Sequence, residues 1–224
     1  MTYRKAKIIM AIEIVIIAIL SIAIVYKYTK PDKVEEEVGK PYKVALEEKT
    51  TAPYKVGDYY NENGKEGVVF EVSADGRHGK IVSLKESSEM LLWSSDYDEQ
   101  RRLIGAADEN DGSKNMAKVM QISGWRDKYP AFAWCASLGE GWYLPAKEEL
   151  LSISRVKNKL NNTLADKGEK IGEGDRSYWC WSSTEGDYQW GSGEFSAWGV
   201  SMDIGYPGSS GKYDDNYVRA VSAF

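Results

Sequence analysis

Cys135 and Cys180 are the only thiols in the chain and His78 its only imidazole, so its chemistry of soft ligands and thiolate nucleophiles is narrow from the outset. A reactive cysteine needs an electropositive setting that lowers its pKa. Cys135 sits instead in the apolar run AFAWCASL and Cys180 in the strand-like YWCWSSTE. In an extracytoplasmic domain the two could pair as a disulfide, and each could equally be a small buried hydrophobe. His78 belongs to the polar turn ADGRHGK and reads as a solvent-exposed turn residue, which leaves His-dependent triads and multi-His metal sites without material. Asp214 and Asp215 with Asn216 could in principle hold a cation, but a solvated loop uses the same residues. Ser182 and Ser183, which follow Trp181, are poor calcium ligands beside carboxylates. No catalytic residue, metal or cofactor is expected.

The chemistry that the residue types do favour is non-covalent binding. After WCWSSTE the chain runs through a stretch rich in Gly, Ser, Tyr, Asp and Trp before closing with VRAVSAF. That mixture of adaptable small residues and rigid amphipathic rings is what binding loops use for contact at low entropic cost. The candidate ligand-binding residues are Asp187, Tyr188, Gln189, Trp190, Ser192, Glu194, Tyr206, Ser209, Tyr213, Asp214, Asp215 and Asn216. Tyr188, Trp190, Tyr206 and Tyr213 would be the anchors, since exposed rings dominate interface energetics. Trp142, Trp179 and Trp181 read as core, and Trp198 fits either class. With a net charge of −5 and no basic stripe, nucleic acid is not an expected partner.

The elements that must position these residues begin with an anchor. Residues 8–26 are apolar apart from Glu13 and Ser21, and at about 1.5 Å per residue they are long enough to cross a hydrocarbon core. Arg4, Lys5 and Lys7 precede the run, and Lys27, Lys30 and Lys33 follow it; the short N-terminus and long following region favour N-in, C-out. No small-residue cleavage site follows, so an uncleaved signal anchor is expected, with an extracytoplasmic C-terminal domain. Glu13 lies near enough to the cytoplasmic end to snorkel. The segment IEIVIIAIL also resembles the N-terminal helix of type IV pilins, where such a glutamate helps subunits assemble, and this implies a filament or envelope-assembly subunit as an alternative role. The organisation expected is a stub and anchor over 1–27, a charged, proline-broken spacer over 28–53, and one domain over 54–224.

Within the domain, VGDYY, GVVFEVS, KIVSLKES and EMLLWSS alternate with Asn-Gly and Asp-Gly turns, a strong signal for antiparallel hairpins. Helices are expected over 113–123, over 129–138, and from Pro145 through the apolar face of Leu150, Leu151, Ile153, Val156 and Leu160. Strands return over 178–183, 195–204 and 217–221. Strands, then helices, then strands is an α+β order.

Several short motifs then fall in one order: DGSKN at 111–115, AFAWCASL, GWYLPAKEEL, WSSTE at 181–185, SAWGVSM and VRAV at 218–221. Together they resemble the Lcl C-terminal-type family of bacterial C-type-lectin-like domains, related in fold to the formylglycine-generating enzymes. The resemblance covers roughly 54–224. It implies a C-type-lectin-like fold, an antiparallel sheet with flanking helices, in which WSSTE and VRAV are strands of the central sheet and the segment between them is an exposed, largely irregular binding surface for a protein or glycan. A subset of such domains are the variable proteins of diversity-generating retroelements, in which adenine-directed mutagenesis diversifies this C-terminal segment. Asn, Asp, Ser, Gly and Tyr here are reachable from Asn codons by changes at adenine, and ordinary turns use the same residues. The kinship with formylglycine-generating enzymes implies an oxidase working through Cys135 and Cys180, but fold does not transfer function.

Overall fold

A computed structural model describes residues 53–172, 178–186 and 193–224, all within one unit spanning Thr51–Phe224. The expected anchor over 8–26, Glu13 and the spacer up to residue 52 lie outside the described residues. Among the described residues no helix is long and apolar enough to cross a membrane.

The sequence signals are strongest in the first hairpins, and there the chain follows them. β1 (Tyr59–Glu62) and β2 (Lys65–Val72) pair antiparallel with Glu62 opposite Lys65, so Asn63 and Gly64 alone form the turn. Both have positive φ, 53° and 74°, which is the conformation a two-residue hairpin demands and Asn-Gly tolerates. β3 (Gly79–Ser83) returns after the Asp-Gly turn, where Asp75 accepts hydrogen bonds from Ser73 Oγ and Arg77 N and His78 is exposed. The final strand of the chain, β9 (Val221–Ala223), comes back to complete a four-stranded antiparallel sheet in the order β1-β2-β3-β9.

Short helices follow. α1 (Gly112–Val119) starts at Asp111, whose side chain accepts from Ser113 N. It ends four residues before the expected boundary at 123, because Ile122 N turns back to Val119 O and Gly124 takes a left-handed conformation. α2 (Trp125–Lys128) is an extra turn that the sequence pattern did not suggest. α3 (Pro130–Ser137) has proline in its first turn, and α4 (Lys147–Ala165) buries Leu150, Ile153, Leu160 and Leu164.

The chain then forms a second sheet, β5 (Trp179–Glu185), β6 (Ser196–Ser201) and β7 (Tyr206–Gly211), in that order. A two-stranded pairing joins β4 (Leu91–Leu92) to β8 (Asp215–Asn216), and β9 is Val221–Ala223. The α+β class with antiparallel sheets is therefore what the chain adopts. Two expectations change. VRAV is not a strand along its length: Val218, Arg219 and Ala220 are irregular but buried. Ser87 Oγ accepts from Val218 N, and Ser83 Oγ accepts from Ala220 N. The Arg219 guanidinium donates to the carbonyls of Ser83, Leu84 and Lys170. And YPGSSG, expected as irregular loop, is β7. A Cβ at Gly208 would lie 2.7 Å from the Trp179 ring, so glycine here lets that ring lie close against the strand rather than signalling a flexible loop.

Glu149 shows how the helices are seated. It is 2% exposed, and its two oxygens accept from Gly112 N (3.0 Å), Ala146 N (2.7 Å), Tyr143 Oη (2.9 Å) and Lys80 Nζ (2.8 Å). One carboxylate thus satisfies the starts of α1 and α4 and ties both to β3. Glu149→Ala leaves Lys80 and three other donors without their acceptor and should cost about 3–5 kcal/mol by urea denaturation. Glu148→Gln, on the open side of the same turn, should stay within about 0.5 kcal/mol.

Candidate functional site

A lysine with no exposed side-chain surface organises the region where binding residues were expected. Lys212 follows β7, and its Nζ donates to Glu185 Oε1 at 2.6 Å and to Arg102 O at 2.8 Å, 4.7 Å from the centre of the Trp93 ring. Glu185, the last residue of β5, accepts from the backbone N–H groups of Ile104 (3.0 Å), Gly105 (2.9 Å) and Ala106 (3.1 Å). Lys212 N donates to Phe195 O, and Lys212 O accepts from Ser94 N. Three irregular segments, 94–106, 193–195 and 211–214, therefore close on one ion pair. Burial lowers the Lys212 pKa from the ordinary lysine value, with Glu185 pulling against it.

Glu99 supports the first of these segments from beneath. It accepts from Tyr129 Oη (2.7 Å), Lys128 Nζ (3.1 Å) and Arg102 Nη2 (2.5 Å). Burial would raise its pKa, but these hydrogen bonds outweigh burial and hold the carboxyl below its ordinary value. On the solvent side, the Arg101 guanidinium stacks 3.9 Å from the Tyr97 ring and 5.8 Å from Phe195. Tyr97, Leu103 and Tyr213 are 62%, 53% and 61% exposed, large apolar surfaces on a fixed support.

Only part of the expected residue set gathers here. Asp187, Tyr188, Gln189, Trp190 and Ser192 lie outside the described residues. Glu194 sits half-buried in the short 3-10 turn Gly193–Phe195, and Tyr213, Asp214 and Asp215 are exposed in and after the turn that follows β7. Asp214 Oδ2 accepts from Gly211 N at 2.8 Å and so closes that turn. Asn216 is a correction: it is 8% exposed, because β8 pairs with β4 and alternation turns Asp215 outward and Asn216 inward. Asp215 is exposed and Asn216 buried, and among the described residues no cluster of three His, Cys, Asp or Glu could hold a metal ion.

Tyr206 and Ser209 are also exposed, but they run along β7 away from Lys212. Tyr206 pairs with Ser201 and Gly211 with Ser196, so Tyr206 stands at the far end of the hairpin, about 17 Å from Gly211 at the usual rise per residue. There it neighbours Ile204, 68% exposed, at the lip of a polar cavity of about 430 Å³ lined by Ser154, Arg155, Asn158, Asp203 and Gly205. The expected surface is thus divided between two ends of one sheet.

The possible disulfide is likewise corrected. Cys135 in α3 and Cys180 in β5 are both free and buried, and desolvation raises the pKa of each thiol. Trp142 and Trp181 are core residues as expected, Trp179 packs against β7, and Trp198 stands 4.8 Å from Lys147 Nζ. Tyr97, Arg101 and Leu103 were not anticipated, although an aromatic and a leucine inside the charged stretch DYDEQRRL are the signal that was there to read. Lys212 had no signal, since lysines are almost never fully buried. Compared with protein-family models and with curated proteins, the chain has no significant match.

Lys212→Met leaves the Glu185 carboxylate buried without its counter-charge and should destabilise the fold by about 3–5 kcal/mol. Adding Glu185→Gln removes that charge, so the double variant should be more stable than Lys212→Met alone, read from a double-mutant cycle. Glu99 has a folded pKa below its ordinary value of 4.5, so its stabilisation is complete above that value and disappears as pH falls through the lower folded value. The melting temperatures of wild type and Glu99→Gln should therefore differ at neutral pH and converge as pH is taken below 4.5.

Proposed function

We propose that this protein is a membrane-anchored, non-enzymatic binding module that presents a protein- or glycan-recognising C-terminal face on a C-type-lectin-like scaffold. The observation that carries the reading is the seating of exposed Tyr97, Leu103 and Tyr213 on segments closed by the buried Lys212–Glu185 pair. Rings held on a rigid support lose little further freedom when a ligand docks. The residues that bear the resemblance are framework residues: Glu149 of PAKEEL, Glu185 of WSSTE and Arg219 of VRAV are all buried and multiply hydrogen-bonded. Exposed Tyr213, Asp214 and Asp215 lie between the last two. The diversified form of this reading further requires a reverse-transcriptase gene beside the coding DNA and a near-copy of the region encoding 181–224 that differs only at adenines.

Binding is favoured over oxidase chemistry of the formylglycine-generating kind by the state of the thiols. That chemistry needs an accessible thiolate, and burial holds both Cys135 and Cys180 in the protonated form.

The test is binding of the full chain, reconstituted in lipid nanodiscs, to glycan arrays and displayed protein libraries. Tyr97→Ala with Tyr213→Ala should weaken the ligand found by about tenfold or more, with the melting temperature unchanged. A ligand held equally well after both changes would place recognition elsewhere and overturn the assignment of this face.

A further inference from the structure

On the helical side of the domain, α1, the turn after α3 and the β2–β3 hairpin enclose an open cavity of about 720 Å³, within the range of small-molecule sites. Its apolar wall is formed by Met116, Met120, Ala117 and Trp142. Met120 is 52% exposed, an adaptable side chain left at the mouth. Three cations also line it, Lys65, Lys80 and Arg126.

Two of the three cations have no ion pair among the described residues. Lys80 is held by Glu149 at 2.8 Å and has Glu71 at 3.8 Å, which still leaves a donor on its ammonium for another acceptor. Lys65 Nζ donates to Ala223 O at 2.9 Å, and among the described residues no carboxylate lies within 4.0 Å of it or of the Arg126 guanidinium. Gly141 makes room for Lys65: a Cβ there would stand 2.8 Å from its Nζ. Asp111, an acid of the lining, accepts from Ser113 N and Ser113 Oγ, has Lys114 at 3.6 Å and interacts electrostatically with Lys80. Glu140, exposed at the rim, is the other acid of the lining.

We propose that this cavity is a second binding site, for a small amphipathic carboxylate. Its apolar body lies against Met116, Met120 and Trp142, and its carboxylate is received by Lys65, with Lys80 and Arg126 beside it. A free carboxylic acid and the C-terminus of a short peptide with an apolar last residue present the same group. The site is separate from the face around Lys212, so either assignment can fail without the other.

The test is titration calorimetry of the full chain in nanodiscs with 4-phenylbutanoate, its amide, its amine analogue and N-acetyl-Gly-Gly-Phe. The acid should bind with a Kd of about 1 mM or tighter, and the amide and amine at least about fivefold more weakly. Tighter binding of the tripeptide than of phenylbutanoate identifies a peptide terminus as the source, and the reverse identifies a free acid. Lys65→Met should weaken the acid about fivefold, and Ala117→Trp, which fills the cavity, should abolish binding, both with unchanged melting. Glu140→Gln, on the exposed rim, should tighten the acid about twofold and leave the amide unmoved. No binding of either acid up to about 10 mM, equal affinity for acid and amide, or indifference to Lys65→Met and Ala117→Trp would overturn the proposal.

Discussion

Burying the ammonium of Lys212 is the most demanding constraint in the described fold, and the C-terminal region is arranged around meeting it. A lone charge withdrawn from water costs several kcal/mol even after relaxation. The cost is offset only because Glu185 Oε1 and Arg102 O each accept from Nζ and the Trp93 ring lies beside it. Glu185 is in turn acceptable in the interior because three successive backbone N–H groups converge on it. Neither charge could be kept without the loop 102–106. That loop could not turn its amides inward without an acceptor for them.

The same solution recurs elsewhere with different residues. Glu149 serves two helix starts, Glu99 joins the loop over 96–102 to Tyr129 and Lys128, and Arg219 collects the carbonyls of Ser83, Leu84 and Lys170. Each hub stands where the backbone is irregular and regular pairing cannot supply partners. A chain with strands this short and connections this long has much interior backbone outside any ladder, and buried charged side chains are what satisfy it. The aromatic cluster of Trp93, Tyr129 and Phe132, with edge-on contacts of 5.0–5.9 Å, supplies the dry surroundings in which those hydrogen bonds are strong.

The parts of this design that follow local rules could be read in the sequence. Asn63-Gly64 fixes the first hairpin, and the apolar period of α4 and its proline-led start fix the long helix. What could not be read depends on partners distant along the chain. YPGSSG has the composition of a loop, yet it becomes β7 because β6 offers a ladder and Trp179 needs a glycine surface to lie on. VRAV has the composition of a strand, yet it becomes irregular because Arg219 is drawn to carbonyls well over a hundred residues earlier. Of the expected binding residues, Tyr213 and Asp215 are displayed and Asn216 is not, a difference set by one residue of alternation in β8. The contribution of 95–104 to the same face rests on Glu99 and on the buried Lys212, and the sequence carried no signal for Lys212.

Native-state hydrogen exchange at the amides of Ile104, Gly105 and Ala106 tests most directly whether the ion pair governs this region. These residues have no ladder of their own, so their protection must come from Glu185 held in place by Lys212. They should exchange only through global unfolding, as slowly as the amides of β2 and β3. Exchange at the rate of an exposed loop, with the sheet still protected, would contradict the account.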